Sequence, residues 1–401
     1  MSLTPFKILV FDFNSGGVRW CETGSQAQAD KNRSGFRALL FKPPCVAPDF
    51  FESIRNSILG ADTQPDLVVF STQEEASSGT YFHSDFLPSR MPDIGYALLK
   101  REVLEGVGEI PSGNPILGKD SGINVGNVTN SAIRMSIYVK PELVTLLRSS
   151  ERRLDQIWGN KGQDTLTCRS GERKSGAICA YVWHPTFGHF AFINVQLPSG
   201  AGVVRAGRDY ATFREGIKAS NKICLINIMN QFVNDVYQYN APDHVILMGD
   251  MNYELVVPDR RPLDVASVIA NNLTANGLRD IYQKYDELAQ AIKELPLRQF
   301  KEGVGGQGPI FMPTWKLLRN RPSTCSPKKD QGKLEAPVDQ CFDVARQGVS
   351  FPAWRDRILF GEFGSSNYTL NCQDYQRIDT GNMNKSTHAG VIGLFTLVAR
   401  A

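Results

Sequence analysis

The sequence predicts a mixed α/β fold in which two β-sheets pack face to face with helices on their outer sides. Three observations predict it. Eight short runs carry the apolar or alternating pattern of strands, and one long stretch carries the spacing of an amphipathic helix. Several strand-to-strand gaps are also too short to hold a crossover helix, which favours mixed or largely antiparallel pairing over a doubly wound sheet.

Taken in order, the first run is KILVFDFN (7–14), largely apolar and closed by Asn14. A weak helical stretch at 49–58 precedes DLVVFST (66–72), which runs into Gln73, Glu74 and Glu75. SAIRMSIYV (131–139) is followed by a second weak helical stretch, 141–149. AICAYVW (177–183) and HFAFINVQL (189–197) are separated only by HPTFG. The strong helix spans roughly 208–238, where Phe213, Ile217, Cys224, Leu225, Ile228, Phe232 and Val236 share one face. HVILMGDMN (244–252) follows, then weaker helical stretches at 262–274 and 280–294. RDRILFGE (355–362) and VIGLFTLVA (391–399) complete the strands. The stretch 302–349 has neither period. It is glycine-rich at EGVGGQGP, then basic and irregular, and reads as a long functional loop.

No internal repeat or low-complexity linker divides the chain, so residues 1–401 are expected to form one domain. The chain is longer than most single cores, but a two-sheet α/β fold can reach this size. A net charge of +3 is too small to imply a nucleic-acid partner. The eight cysteines form no CxxC pair, and Cys179 and Cys224 fall in apolar periodic segments. The expectation is reduced, packed thiols rather than a disulfide frame or zinc site. The chain runs almost directly into its first strand, so no cleavable signal peptide is expected. No apolar run approaches the ~20 residues that cross a bilayer. These readings make a cytoplasmic location the expectation.

Polar residues recur at strand ends. Asn14, Gln73 with Glu74, Gln196, and Asp250 with Asn252 end four of the runs; Asp356 begins another, and His388 precedes the last. Singly, each is an ordinary turn or cap residue. Gathered on one rim of a sheet, they are how α/β proteins build sites. Glu74 suits a hard cation such as Mg²⁺, which needs only one or two protein carboxylates. Asp250 suits the alignment or deprotonation of a water, and Asn252 the donation of a hydrogen bond to a phosphate oxygen. His388 needs an orienting acid, and Asp356, held between Arg355 and Arg357, is suitably placed.

These segments resemble the inositol polyphosphate 5-phosphatases of the endonuclease/exonuclease/phosphatase superfamily. MGDMNYEL (248–255) is similar to that family's GDLNYR motif, the FKEG and GPIFMPTWK pieces within 300–316 to F.EG.I.F.PTYK, and FPAWRDRIL (351–359) to PAWCDRIL. The resemblance implies a DNase I-like four-layer sandwich. It further implies a Mg²⁺-dependent attack of water on a ring phosphate, most often the 5-phosphate, of a phosphoinositide or soluble inositol polyphosphate. In the same terms, Glu74 and Asn14 would be metal ligands, and Asp250, Asn252, His388 and Asp356 the catalytic group. Lys316, Gln196, Arg357 and Lys174 would contact substrate.

The chain departs from the family pattern in four places. Thr387 stands where an aspartate is usual, Gln196 where a phosphate-binding histidine is, and Glu254 where an arginine is. RKSGA (173–177) matches GNKGA only loosely, with Lys174 as the displaced lysine. Each lost charge-assisted contact costs on the order of 10²–10³ in rate. Two alternatives therefore stay open: a phosphodiesterase or nuclease of the same superfamily, and a catalytically weakened inositide-binding module. In the basic segment 316–333, the distal Lys328, Lys329 and Lys333 read as solvated, with contact to an anionic membrane surface as the functional alternative.

Overall fold

A computed structural model of the chain describes residues 5–15, 19–20, 45–46, 54–58, 60, 64–76, 82–105, 131–153, 175–198, 210–233, 241–257, 262–294, 297–315, 317–318, 341–342, 352–378 and 386–400. The strands among them are β1 (Lys7–Asn14), β2 (Arg19–Trp20), β3 (Cys45–Val46), β4 (Leu67–Ala76), β5 (Ala97–Glu105), β6 (Ser131–Val139) and β7 (Arg148–Arg153). There follow β8 (Gly176–His184), β9 (Gly188–Gln196), β10 (His244–Asp250), β11 (Phe300–Glu302), β12 (Asp356–Glu362), β13 (Tyr368–Ile378) and β14 (Gly390–Ala399).

They assemble into two six-stranded mixed sheets, β13-β14-β1-β4-β6-β5 and β11-β12-β10-β9-β8-β7, with β2 and β3 paired apart. At the centre of each large sheet lies a parallel pair, β1 with β4 and β10 with β9; every other pairing within the two sheets is antiparallel. Each parallel pair sends two carboxyl ends the same way, which is what prepares a rim for a site.

Side-chain alternation explains the layers. Ile8, Val10, Val69, Met135 and Ile137 of the first sheet meet Ile178, Phe192, Ile246, Met248 and Ile358 of the second in a continuous inter-sheet core. The opposite face of the second sheet, including Cys179, Ile193, Val195, Val245 and Leu247, packs on Cys224, Leu225, Ile228 and Phe232 of helix Tyr210–Phe232. The outer face of the first, with Leu9, Phe11, Val68 and Phe70, packs on Ile54, Ile58, Phe82, Leu87 and Met91. This is the four-layer arrangement of helices, sheet, sheet and helices that the pattern predicted. Fully burying a side chain such as Phe192 or Ile246 contributes about 1.5–3 kcal/mol.

Three expectations need correction. The segment 141–149 is not a helix: a short 3₁₀ turn at Pro141–Leu143 leads into β7. The stretch 280–294 lies across two helices, Ala275–Tyr285 and Glu287–Ala291, separated by Asp286, whose carboxylate accepts from Ala289 N and caps the second. The reduced-thiol reading also fails in part. Cys224 and Cys341 are each in a disulfide, while Cys179 and Cys372 are free and buried.

Candidate active site

Strand register brings the polar strand ends together. Asn14 lies beside Gln73 on the β1–β4 pair, and Asp250 lies beside both Gln196 and Asp356 within the second sheet. Gly249 makes that junction possible. Its φ is 136°, and an added Cβ would run into the Val195 carbonyl. Asp250 has the same parity as Ile246 and Met248, so its side chain enters the space between the sheets, where Asn14 Nδ2 donates to its Oδ2 at 2.8 Å. The backbone N–H of Asn252 donates to the other oxygen, Oδ1, at 3.1 Å.

The same alternation separates Asp356 from the side chain of Arg357. Asp356 follows Ile358 and Phe360 inward, and its two oxygens stand 2.9 and 3.2 Å from His388 Nδ1. Thr314 Oγ1 accepts the backbone N–H groups of both Arg355 and Asp356, anchoring the start of β12. His388 is set by an isolated bridge to Trp315 and by Ser386, whose hydroxyl accepts the His388 N–H and donates to the Asn14 carbonyl. With Nδ1 turned to Asp356, Nε2 occupies the opposite edge of the ring.

Arg357, expected at the substrate, is instead wholly buried on the outer side of β12. Its guanidinium meets the carboxylates of Asp286 and Glu302 and the Trp354 carbonyl. Nor do flanking arginines keep Asp356 readily ionised. Burial pushes its carboxyl up to about 8, against the opposing effects of the Thr314 hydrogen bond and Arg355. Asp250 is also raised, by burial first and by Asp356 further down, with His388 opposing. Asp12 is raised well above the usual range by burial and by the nearby Asp356. Asp356 and His388 therefore stand in direct contact in a pocket where three buried carboxyls, Asp12, Asp250 and Asp356, are all raised.

Glu74 is brought to this rim by a β-bulge between Thr72 and Glu75, with φ at 51°. Gln196 Nε2 donates to Glu74 Oε1 at 2.7 Å, so the expected phosphate contact of Gln196 is turned toward the carboxylate. Among the described residues no group of three or more His, Cys, Asp or Glu side chains forms a metal cage. Mg²⁺ does not need one. Glu74 supplies a carboxylate, and Asn14, with its NH₂ fixed on Asp250, turns its amide oxygen the other way. The buried Gln196 Oε1 and Asp12 Oδ2 also have no hydrogen-bond partner. Hard oxygen donors among mutually repelling buried carboxyls fit a divalent cation.

Some contributors carried no signature at the sequence level. Arg355 donates through Nη1 to Asn252 Oδ1 at 2.8 Å and through Nη2 to Glu254 Oε1 at 2.6 Å. Asp12 accepts from Ser71 Oγ and Gln73 Nε2, and Gln73 Nε2 also reaches Asn194 Oδ1 at 2.7 Å, forming a polar floor between the sheets. Arg355 and Thr314 stood within the PAWRDRIL and PTWK segments, but nothing in the sequence pointed to these partners. Thr387 is half-buried, and its carbonyl accepts from Leu317 N. Lys316, Lys174 and the distal lysines 328, 329 and 333 lie outside the described residues.

The model of endonuclease/exonuclease/phosphatase family 2 matches residues 28–394. No match was found among curated proteins. The inositol polyphosphate 5-phosphatase domain of SPsynaptojanin, solved with inositol (1,4)-bisphosphate and calcium, is 15% identical with a TM-score of 0.52, over 99% of this chain and 86% of that one. A Cimex nitrophorin in a ferrous NO complex is 14% identical with a TM-score of 0.52, over 98% and 99%. An endonuclease/exonuclease/phosphatase protein from Beutenbergia cavernae is 11% identical with a TM-score of 0.45, over 98% and 72%. At these identities the likeness to the first two shows the DNase I-like fold alone.

Proposed function

The chain belongs to endonuclease/exonuclease/phosphatase family 2, and from that premise we propose that it is a magnesium-dependent phosphatase removing a ring phosphate, the 5-phosphate, from phosphoinositides or soluble inositol polyphosphates. The observation that carries this reading is the convergence of Asp250, bonded to Asn14, with the Asp356–His388 pair and Glu74 on one rim. The fold by itself does not decide the chemistry, since a nitrophorin shares it. The PTWK and PAWRDRIL segments and the inositol bisphosphate held by the SPsynaptojanin domain support an inositide over a nucleic acid.

Mg²⁺ held by Glu74 and Asn14 would neutralise the phosphoryl oxygens. Asp250, braced by Asn14 and by the Asn252 N–H, orients an attacking water and takes its proton. The Asn252 amide donates to the phosphoryl group. His388 presents Nε2 to the developing charge while Asp356 holds Nδ1. Lys316 and Lys174 would receive the remaining phosphates. No helix among the described residues is long and apolar enough to cross a membrane; lipid substrate would be met by peripheral contact with an anionic surface. The disulfides at Cys224 and Cys341 favour an oxidising compartment over the cytoplasm.

The test is phosphate release from PtdIns(4,5)P₂ and Ins(1,4,5)P₃, with Mg²⁺ and with chelator, beside Asp250→Asn. Mg²⁺-dependent release that the substitution abolishes is expected. Cleavage of single-stranded DNA instead would assign the chain to the nucleases. The binding-module alternative keeps some support from Thr387 and from the Gln196 amide turned toward Glu74; binding of inositide without release would favour it.

A further inference from the structure

Arg355 is 5% exposed and holds three partners at once. Nη1 donates to Asn252 Oδ1 at 2.8 Å, Nη2 donates to Glu254 Oε1 at 2.6 Å, and the guanidinium carbon lies 3.2 Å from the centre of the Trp315 ring. Glu254 is fixed in turn: its backbone N–H donates to Glu287 Oε2 at 2.9 Å and its carbonyl accepts from Glu287 N. The guanidinium is thus clamped from two sides, and its third contact falls on the residue that would donate to the phosphoryl group.

The chemistry of that contact is directional. A carboxamide has an acceptor end and a donor end of nearly equal size, so sterics do not choose between its two flips. Partners choose. A guanidinium has only donors, so the oxygen of Asn252 must face Arg355. Leu197 O, which can only accept, makes the same choice from the other end, and Asn252 Nδ2 donates to it at 2.8 Å. Asn252 also holds a left-handed backbone, φ 51°, which persists only where surroundings over-determine it.

We propose that Arg355 is a positioning residue, clamped by Glu254 and Trp315, that fixes the flip and aim of the Asn252 carboxamide. The paired departures at 254 and 355 then have one explanation. Where the GDLNYR and PAWCDRIL motifs carry arginine and cysteine, this chain carries Glu254 and Arg355, and the two departing side chains are bonded to each other. This inference rests on the phosphatase reading only in naming phosphate as what Asn252 donates to.

The test is a double-mutant cycle with one measurement that needs no turnover. Arg355→Met is expected to lower kcat on Ins(1,4,5)P₃ by on the order of 10–100-fold, with KM changed less than about threefold. Arg355→Lys, which keeps a donor, restores part of kcat. In an Asn252→Ala background the Arg355→Met change should have an effect of less than about twofold, because its action passes through Asn252. An undiminished loss in that background would overturn the proposal and make Arg355 a direct phosphate ligand, a source of field or a fold residue. Pairing Arg355→Met with Glu254→Gln removes the stranded carboxylate if the single variant folds poorly. Independently, the side-chain ¹⁵N–H₂ resonances of Asn252, assigned by their loss in Asn252→Ala, should shift or double in Arg355→Met; an unmoved pair also overturns the proposal. No turnover by the wild type together with a shifted pair would end the phosphatase reading and leave the Arg355–Asn252 coupling standing.

Discussion

Glu74 and Asn252 both adopt φ of 51°, and they are the only non-glycine residues with positive φ among those described. Both stand at the candidate site, where an L-residue in this conformation costs about 1–2 kcal/mol. That cost yields a prediction whose sign is unusual. Glycine in a strand is ordinarily less stable than alanine by roughly 0.5–1 kcal/mol. At position 74 the order should reverse: Glu74→Gly should unfold about 1 kcal/mol higher than Glu74→Ala in urea, although both delete the same carboxylate. Equal midpoints, or a more stable alanine variant, would mean the backbone there is relaxed. The residues at the rim were legible because each is polar at the end of an apolar run. What stayed hidden was direction. Asp356 reads in sequence as flanked by two cations, but alternation turns Arg357 outward, and Arg355, just ahead of β12, reaches Asn252. Asp12, alternating inside a strand, resembled the ordinary polar position of a half-solvated sheet.

Legibility at the level of elements follows position in the sheets. The eight runs with strand character are β1, β4, β6, β8, β9, β10, β12 and β14, which are the eight interior strands of the two large sheets. The strands of the two large sheets absent from the reading, β5, β7, β11 and β13, are the four edges. An interior strand must be apolar enough to sit between neighbours and layers, whereas an edge is free to carry charge, as ALLKREVLE of β5 and RSSERR of β7 do. Edges are held by other means, and Arg357 supplies one. From β12 it binds Glu302 of β11, whose Oε1 also accepts from Tyr375 Oη of β13 at 3.0 Å, and it reaches Asp286 between two helices. Arg357→Met should therefore strand two buried carboxylates and cost about 3–5 kcal/mol in denaturant unfolding. Below the transition its KM for inositide should stay within about twofold of wild type. A weakened KM with unchanged stability would return Arg357 to the substrate.

At the scale of the molecule, the two central parallel pairs direct four carboxyl ends to one rim, and the remaining polar groups are packed away between layers. The buried histidines show what that packing costs in acid. Burial lowers His83 well below the free imidazole value, with Arg134 and Arg101 adding to it, and His184 and His244 are lowered by burial as well. His83 lies wholly buried between Thr72 of β4 and Ser136 of β6, with ring nitrogens 3.0 and 2.8 Å from their hydroxyls. Below pH ~6.5 the unfolded chain takes up a proton at this histidine that the folded chain refuses. Its contribution to stability therefore falls as pH drops through 6.5, by up to about 1.4 kcal/mol per pH unit. The raw stability curve hides this, because raised carboxyls act oppositely. Asp286, at about 6, takes up a proton in the folded chain before it does so unfolded, which adds stability as pH falls. Subtraction isolates the histidine. His83→Gln leaves those carboxyls in place, so the stability of wild type minus that of the variant should be flat above pH ~7. Between pH 6 and 5 that difference should decline by about 1.4 kcal/mol. A flat difference throughout would mean that His83 takes up its proton in the folded protein and that this layer admits charge.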